Sequence, residues 1–163
     1  MKKLLLSLFI PILLLSCKKS KDQPQAEPEF PTVVSGTLYG VPISSKAVIE
    51  RKTSFSMGQY TPETLVAIYI STDEAKGCDK ANSEFQIRLS APRKLGKYSG
   101  NDTYILVEDP RDPTGVSGAL FSSEETIIEI TNISAHKVTG TVDVKWAEHQ
   151  IAFRGKFEAS ICQ

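Results

Sequence analysis

Two histidines are the residues of this sequence with the widest catalytic and metal-binding repertoire, and both lie near its C-terminal end. His136 and His149 flank a segment in which apolar and polar residues alternate, which predicts one β-strand between them. Because a strand rises about 3.3 Å per residue, we expect the two imidazoles to lie roughly 30 Å apart. They then cannot share a metal ion or act as one catalytic pair, and we interpret them as strand-end residues.

A glycine-flanked serine is a second feature with catalytic potential. Ser117 lies in the segment Gly115-Val116-Ser117-Gly118, which lacks the G-x-S-x-G spacing of a nucleophile elbow. A strand rather than a helix is predicted after it, and the sequence brings no pair of titratable groups together. We therefore predict that the protein is not an enzyme and that it uses no cofactor.

Two acidic loops offer oxygen ligands. Residues 108–113 read Glu-Asp-Pro-Arg-Asp-Pro, and a second loop holds Asp73, Glu74 and Asp79. Several carboxylates in one loop could bind Ca²⁺, but the spacing of an EF-hand is absent, and Asp and Pro also suit ordinary turns. We predict no metal site, with a bound cation at the first loop as the alternative.

Aromatic side chains could form a ligand groove if they emerge on one surface. Aromatic rings bury apolar area while a polar tip stays wet, so they serve equally in a core or in a sugar-binding groove. The sequence leaves both roles open for six of them, namely Tyr39, Phe55, Tyr60, Tyr69, Tyr98 and Tyr104.

The N-terminal residues have the organisation of an export signal. Residues 1–3 are Met-Lys-Lys, residues 4–15 are almost uninterruptedly apolar, and the small residue Ser16 follows. The apolar run is shorter than the roughly 20 residues of a transmembrane helix. A buried helix is the alternative, but the lysine pair before a short apolar run favours a signal.

Residues 14–17, Leu-Leu-Ser-Cys, resemble the lipobox of bacterial lipoproteins. The resemblance implies that residues 1–16 are a lipoprotein signal peptide and that Cys17 carries acyl chains at the mature N-terminus. It also implies that the membrane is a partner through this anchor. Lys18 follows Cys17, in place of the aspartate associated with inner-membrane retention, which favours the outer membrane, facing either the periplasm or the outside.

The charge of the exported chain argues against nucleic acid as a partner. The sequence has 19 basic and 19 acidic residues, and removal of Lys2 and Lys3 leaves 17 against 19, a net charge near −2. A protein without a basic excess lacks the electrostatic footprint of nucleic-acid binding.

Two cysteines, Cys78 and Cys162, remain after Cys17 is assigned to lipid. In an exported protein an even pair predicts a disulfide. It would close a loop of about 85 residues and stabilise the fold by at most roughly 4–5 kcal/mol. Two free thiols or a metal pair are the alternatives.

The rest of the chain divides into a tether and one β-rich domain. Residues 17–31 are polar and rich in proline, as a flexible tether is. Residues 32–163 contain short runs of β-forming residues separated by turn residues, and show no helical period. The predicted strands are Val33–Tyr39, Val41–Arg51, Leu65–Ser71, Glu84–Ser90, Tyr104–Glu108, Ser117–Phe121, Glu125–Ile133, His136–Trp146 and His149–Ile161.

The last two strands alternate apolar and polar residues along their length, which predicts a hairpin with one apolar face. A two-residue turn at Ala147–Glu148 puts every apolar residue on that face. In this register Val144 lies opposite Ile151 and Gly140 lies opposite Gly155. A slip by one residue would lose the common face.

A three-residue loop at Ile133–Ala135 extends the hairpin into a three-stranded meander, with Ile130 opposite Val138. The meander segment, T-I-I-E-I-T-N-I, V-T-G-T-V and G-K-F-E-A-S-I-C, resembles the ending of several uncharacterised β-rich lipoprotein families. The resemblance covers about a quarter of the chain and implies a β-rich fold with no established activity.

Nine short strands without helices predict an all-β fold, a single antiparallel β-sandwich of eight or nine strands. A calycin-like β-barrel is the alternative. The function expected is that of a lipid-anchored cell-envelope protein whose domain is a non-catalytic structural or interaction module, with an envelope protein as the candidate partner. The alternative is a lipoprotein that binds a sugar or an apolar ligand.

Overall fold

The structure, a computed structural model, describes residues 29–73, 77–81, 85–112, 114, 118–122 and 125–162. The predicted signal peptide, Cys17 and most of the predicted tether lie outside these residues, as do Glu74 and residues 115–117 with Ser117. Within the described part the fold is all-β, with no α-helix and three short 3-10 turns. None of its helices is long and apolar enough to cross a membrane.

Eleven strands make up the sheet. They are β1 (Ser35–Leu38), β2 (Val41–Ser44), β3 (Ala47–Glu50), β4 (Leu65–Ser71), β5 (Ile87–Pro92), β6 (Gly96–Tyr98), β7 (Tyr104–Glu108), β8 (Gly118–Phe121), β9 (Ile127–Ile133), β10 (Lys137–Trp146) and β11 (Ile151–Ile161). The predicted strand Val41–Arg51 is two strands, β2 and β3, and β6 was not predicted.

The sheet is mixed. Its order is β6-β9-β10-β11-β3-β4-β5-β7-β8, and the hairpin β1–β2 branches from β11. All pairs are antiparallel except β3 with β11, where Ser160 lies beside Ile49. The parallel pair follows from chain direction: β1 runs antiparallel to β11, and β2 therefore runs the same way as β11. Only two residues separate β2 from β3, which keeps that direction.

The sheet curls into a half-barrel around a filled interior, which we call the main core. Nineteen buried side chains form this core. They come from β1 and the residue before it, from β4, β5 and β7, and from β9, β10 and β11. Strands from both ends of the sheet thus bury their inner faces against each other, and these faces carry the apolar residues of the strands.

The C-terminal hairpin forms with the predicted inner face but in a register shifted by two residues. Its turn contains four residues, Ala147–Gln150, between the paired residues Trp146 and Ile151. The predicted meeting of two glycines is therefore wrong, and Val142 lies opposite Gly155. A shift by two preserves the faces of both strands, so alternation alone could not distinguish the two registers.

The meander also forms, and its first pairing is again displaced. Val138 pairs with Ile133, and Gly140 pairs with Ile130. One extra residue on β9, Thr131, is accommodated by a β-bulge between these pairs. The predicted three-residue loop placed Ile130 opposite Val138, because that prediction assumed uninterrupted pairing and made no allowance for a bulge.

Strand β4 is buried on both faces. Val66, Ile68 and Ile70 belong to the main core, whereas Ala67 and Tyr69 pack on the opposite face. There they form a second core with Ile49 and Phe85, against which Cys162 packs. An unbroken apolar run with no alternation is typical of a strand buried on both sides.

The predicted disulfide joins Cys78 to Cys162, with a Cα–Cα distance of 5.4 Å. Arg51 holds the same loop, because its Nη2 donates to the carbonyl oxygens of Gly77 and Cys78 at 3.2 and 2.9 Å. Its guanidinium also lies 5.5 Å from the ring centre of Phe85. The loop after β4 is therefore held against the second core by the disulfide and by the hydrogen bonds of Arg51.

The N-terminal segment of the described chain, residues 30–34, lies along β11. The amide of Lys156 donates to the carbonyl oxygen of Pro31 at 2.8 Å. At Gly155 the two backbones approach so closely that a Cβ would lie 2.1 Å from the carbonyl oxygen of Val33. Glycine is required at that position because any side chain would displace the segment.

Candidate functional site

A polar pocket of about 220 Å³ lies at one end of the sheet, and we call it the loop-end pocket. Three turns build it: the β1–β2 turn, the loop after β7 and the β10–β11 turn. Its lining side chains are Tyr39, Arg111, Glu148, His149 and Gln150. All five side chains carry hydrogen-bonding atoms.

The β1–β2 turn presents Tyr39 to this pocket. The turn has two residues, Tyr39 and Gly40, with φ angles of 51° and 79°. Such a turn favours Asn-Gly or Gly-Gly, because both positions need a left-handed backbone. A tyrosine in this conformation costs roughly 1–2 kcal/mol relative to glycine.

The β10–β11 turn ends at a second left-handed residue, Gln150, with φ 55°. The surrounding structure holds it there, because its carbonyl oxygen accepts hydrogen bonds from the amide of Gly40 at 3.0 Å and from Oγ1 of Thr37 at 3.3 Å. The two turns are thus joined directly through the backbone.

The loop after β7 supplies a guanidinium that is fixed in place. Asp109 accepts from Nε of Arg111 at 2.8 Å and from Nη2 at 2.6 Å, while the guanidinium lies 5.5 Å from the ring centre of Tyr39. Hydrogen bonds from Arg111 hold the pKa of Asp109 below its usual value. Burial, and then the charge of Asp109, raise the pKa of Tyr39.

Three rings in tilted contact support the other wall of the pocket. His149 lies with its ring centre 3.9 Å from that of Trp146, which in turn lies 4.4 Å from that of Phe121. Trp146 and Phe121 pack against the main core. The position of the His149 imidazole is therefore supported by two aromatic side chains that pack against the main core.

A second surface, which we call the meander face, is the outward side of β6, β9, β10 and β11. One row across it reads Lys97, Glu129, Thr141 and Lys156, since these residues are register partners on successive strands. Its members, with both signs of charge, are Lys97, Glu129, Thr139, Thr141, Asp143, Lys145, Arg154, Lys156 and Glu158.

Open clefts cross the meander face and meet the N-terminal segment. One of about 250 Å³ includes Phe30, and one of about 410 Å³ includes Thr32; they share Thr141. The guanidinium of Arg154 lies 4.5 Å from the ring centre of Phe30. The N-terminal segment thus forms one wall of this surface.

A third cleft, beside the disulfide, holds a buried ion pair. The Glu50 side chain is 1% exposed and the Arg93 side chain 30% exposed, and Nη2 of Arg93 donates to the Glu50 carboxylate. Burial raises the pKa of Glu50, and the charge of Arg93 opposes that rise. Arg93 also donates to the carbonyl oxygen of Leu65 at 3.2 Å, so the pair ties strand ends together.

The chain matches no protein-family model, no curated protein and no solved structure. These surfaces are therefore the basis for assigning its role.

The predicted chemistry-bearing residues are dispersed among these surfaces. His136 and His149 lie beyond opposite ends of β10, and only His149 lines the loop-end pocket. Within the described residues no group of three His, Cys, Asp or Glu side chains is arranged to hold a metal ion. In the first acidic loop, Asp109 bonds to Arg111, and Asp112 accepts from the amide and hydroxyl of Thr114.

The predicted aromatic residues divide between the interior and separate surface positions. Tyr69 is 2% exposed and packs edge-to-face against Phe85 in the second core. Phe55 packs against Tyr104, with ring centres 6.1 Å apart. Tyr39 lies in the loop-end pocket. No common groove for these four is formed.

Sequence reasoning missed the contributions of Arg111, Gln150 and Glu50. Arg111 and Gln150 become neighbours of Tyr39 only when three distant turns meet, and no local pattern encodes that meeting. One weak indication that Glu50 is buried was present in the sequence. Its carboxylate directly follows Ala47-Val48-Ile49, a run typical of a buried strand.

Proposed function

We propose that this protein is a lipid-anchored cell-envelope protein whose β-rich domain is a non-catalytic interaction module. In this proposal Cys17 carries the anchor, residues 18–31 form the tether, and the curled sheet acts as a filled sandwich. The meander face is the surface that receives an envelope protein partner.

The anchor proposal is supported by the arrangement of the N-terminal residues. A positive start, a short apolar run and Leu-Leu-Ser-Cys stand in that order. A polar, proline-rich tether of this length reaches about 40 Å. It leads into the domain at Pro31, where the chain meets β11 on the side of the meander face.

The observation that carries the interaction proposal is the make-up of the meander face. It is broad and crossed by shallow clefts, and it mixes basic, acidic and hydroxyl side chains. A polar surface with both charge signs is suited to specific docking of another protein, because complementary charges select the partner and fix its register.

The interior argues for this role over apolar-ligand transport. The main core fills the inside of the curled sheet with close-packed aliphatic and aromatic side chains. A carrier of apolar cargo requires an interior volume of several hundred Å³ for its ligand.

The anchor is tested by the substitution Cys17→Ser. We expect the wild-type chain to incorporate a radiolabelled fatty acid and to fractionate with membranes, and the variant to lose both properties. Cys78→Ser is the matched control, since it removes a cysteine and should leave labelling intact. Labelling of the Cys17→Ser chain would overturn the anchor assignment.

The partner surface is tested by photo-crosslinking in intact cells. A photoreactive amino acid at Thr141 should give one discrete crosslinked protein, and the same group at exposed Gln59, outside the meander face, should not. Reversing charge with Glu129→Lys and Lys156→Glu should abolish the product. Crosslinking that is equal at both positions, or insensitive to charge reversal, would contradict the proposal.

A further inference from the structure

Tyr39 occupies a position where the backbone favours a different residue. Both residues of the β1–β2 turn have positive φ, and Asn-Gly is the common choice for such a turn. The second position here is glycine, as expected, but the first is a bulky tyrosine. Its side chain lies in the loop-end pocket, half-buried against the guanidinium of Arg111.

Gln150 shows the same conflict between backbone and side chain. It ends the 3-10 turn in a left-handed conformation, where glycine or asparagine is usual. Its side chain also lines the loop-end pocket. Tyr39 and Gln150 are the only two non-glycine residues with positive φ in the described chain, and both face one pocket.

Residues held in costly backbone conformations cluster at ligand sites, where their side chains serve recognition. We infer that the loop-end pocket is a binding site for a single neutral sugar unit, recognised by Tyr39, Arg111, Glu148, His149 and Gln150. This site shares no lining residue with the clefts of the meander face, so the inference does not depend on the proposed partner surface.

The hydrogen-bonding groups of the pocket match a polyhydroxylated ring. A sugar hydroxyl donates and accepts at once, and the pocket offers both functions. The Arg111 guanidinium donates, the Glu148 carboxylate accepts, and the Gln150 amide and Tyr39 hydroxyl do both. Planar polar groups and aromatic rings that converge on a small concave site are typical of specific ligand recognition.

Charge and size narrow the ligand class. The positive charge of Arg111 is balanced by Asp109, which occupies its Nε–Nη2 edge, and the pocket also contains the carboxylate of Glu148. A strongly anionic ligand would be repelled by these carboxylates. A volume of about 220 Å³ lies below the range usual for drug-sized ligands and suits one ring.

The chain contains its own reporter for this site. Trp146 is its single tryptophan, and it contacts His149, a lining residue, with ring centres 3.9 Å apart. A sugar that moves or desolvates the imidazole should therefore change tryptophan fluorescence.

The test uses the full lipidated chain in detergent. Glucose, galactose, mannose and N-acetylglucosamine are titrated to about 50 mM, a range that covers millimolar dissociation constants. Tryptophan emission and saturation-transfer NMR are the readouts. We expect at least one sugar to give a saturable emission change and a transfer signal. Absence of both for all four sugars would overturn the inference.

Variants distinguish the pocket from a non-specific effect. Tyr39→Asn and Glu148→Gln should each weaken sugar binding at least tenfold, while Lys94→Asn, an exposed control in the β5–β6 turn, should not. Tyr39→Asn should also melt at the same or a higher temperature, because asparagine suits the turn. Unchanged sugar affinity in folded Tyr39→Asn and Glu148→Gln would overturn the assignment.

Discussion

Strands β4 and β10 lie in the same sheet but bury their side chains in opposite ways. Every residue of β4 is buried, and its apolar run faces the main core on one side and the second core on the other. In β10 buried residues alternate with partly exposed ones, and its outer side chains form the meander face. The half of the sheet that contains β4, which we call the covered half, therefore has an apolar outer surface beneath the second core. The half that carries the meander face, which we call the open half, has a polar outer surface.

An apolar outer surface must be covered by another part of the chain. The second core is small, and the loop that carries Phe85 must stay in place to cover it. That loop is fixed by the Cys78–Cys162 disulfide and by Arg51. The open half needs no cover, because its polar side chains can bind water, each other or a partner.

Removal of the disulfide is the largest expected perturbation of the covered half. Cys162→Ser should lower the free energy of unfolding by up to about 4–5 kcal/mol, because the bond closes a long loop in the unfolded chain. Urea unfolding, with and without a reductant, measures the loss. Reductant should weaken the wild-type protein and leave Cys162→Ser unchanged. Equal stability of the wild-type protein and Cys162→Ser in the absence of reductant would contradict the role of the disulfide.

A smaller but still large effect is expected from the buried charge of the covered half. Arg93→Leu leaves the Glu50 carboxylate without the ion pair and should cost about 3 kcal/mol at pH 7, since an unpaired buried charge is strongly destabilising. The partly exposed Arg154, 4.0 Å from Asp143 on the meander face, gives the matched control. Arg154→Leu should cost about 1 kcal/mol or less.

The cost of Arg93→Leu should also depend on pH in a defined direction. Burial raises the pKa of Glu50 in the folded state, so its contribution to stability is present at low pH and is lost as pH rises through that pKa. Without Arg93 the pKa rises further. The destabilisation should therefore shrink as pH falls through the raised pKa of Glu50, and its pH-dependent part should be gone by pH 4.5, the ordinary pKa of this carboxyl. A cost independent of pH would show that Glu50 is not the cause.

Conservative truncations sharpen the contrast between the two outer surfaces. Ile49→Val removes one methylene from the second core and should cost about 1 kcal/mol. Thr141→Ala on the meander face should change the free energy of unfolding by no more than about 0.5 kcal/mol. Thermal unfolding measures both. Equal costs would mean that the meander face is packed as tightly as the second core.

The smallest effect is expected from an exposed ion pair of the open half. Nζ of Lys137 lies 3.0 Å from the Glu158 carboxylate, and both side chains are largely exposed. Lys137→Gln should change stability by less than about 0.5 kcal/mol, and 1 M salt should abolish the difference by screening. A larger effect that persists in salt would contradict this assignment.

The sequence predicted the features that depend on local pattern. The alternation along β10 and β11 identified their inner faces, and the even pair Cys78 and Cys162 identified the disulfide. The apolar run of β4 was recognised as a strand. The predicted register was displaced by two residues between β10 and β11, because a four-residue turn leaves the alternation unchanged. Between β9 and β10 it was displaced by three residues before the bulge and by two after it.

The parallel pair and the candidate site could not be predicted, since each depends on contacts between distant segments. The short Ser45–Lys46 connection splits one predicted strand into β2 and β3, and β3 keeps the direction of β2 and pairs parallel with β11. The loop-end pocket exists only because the turns at Tyr39 and Gln150 meet the loop of Arg111. The Tyr39-Gly40 pair was visible in the sequence, but its positive φ angles were not.

The position of residues 30–34 along β11 has a mechanical consequence. The N-terminal end of the described chain leaves the domain near Lys156, while the loop-end pocket lies at the opposite end of the β1–β11 pair, beside Gln150. If the chain were held at a membrane through Cys17 and a sugar were held in the loop-end pocket, as proposed above, tension between them would pull these antiparallel strands past each other along their length. Their hydrogen bonds would then share the load and yield together instead of opening one at a time.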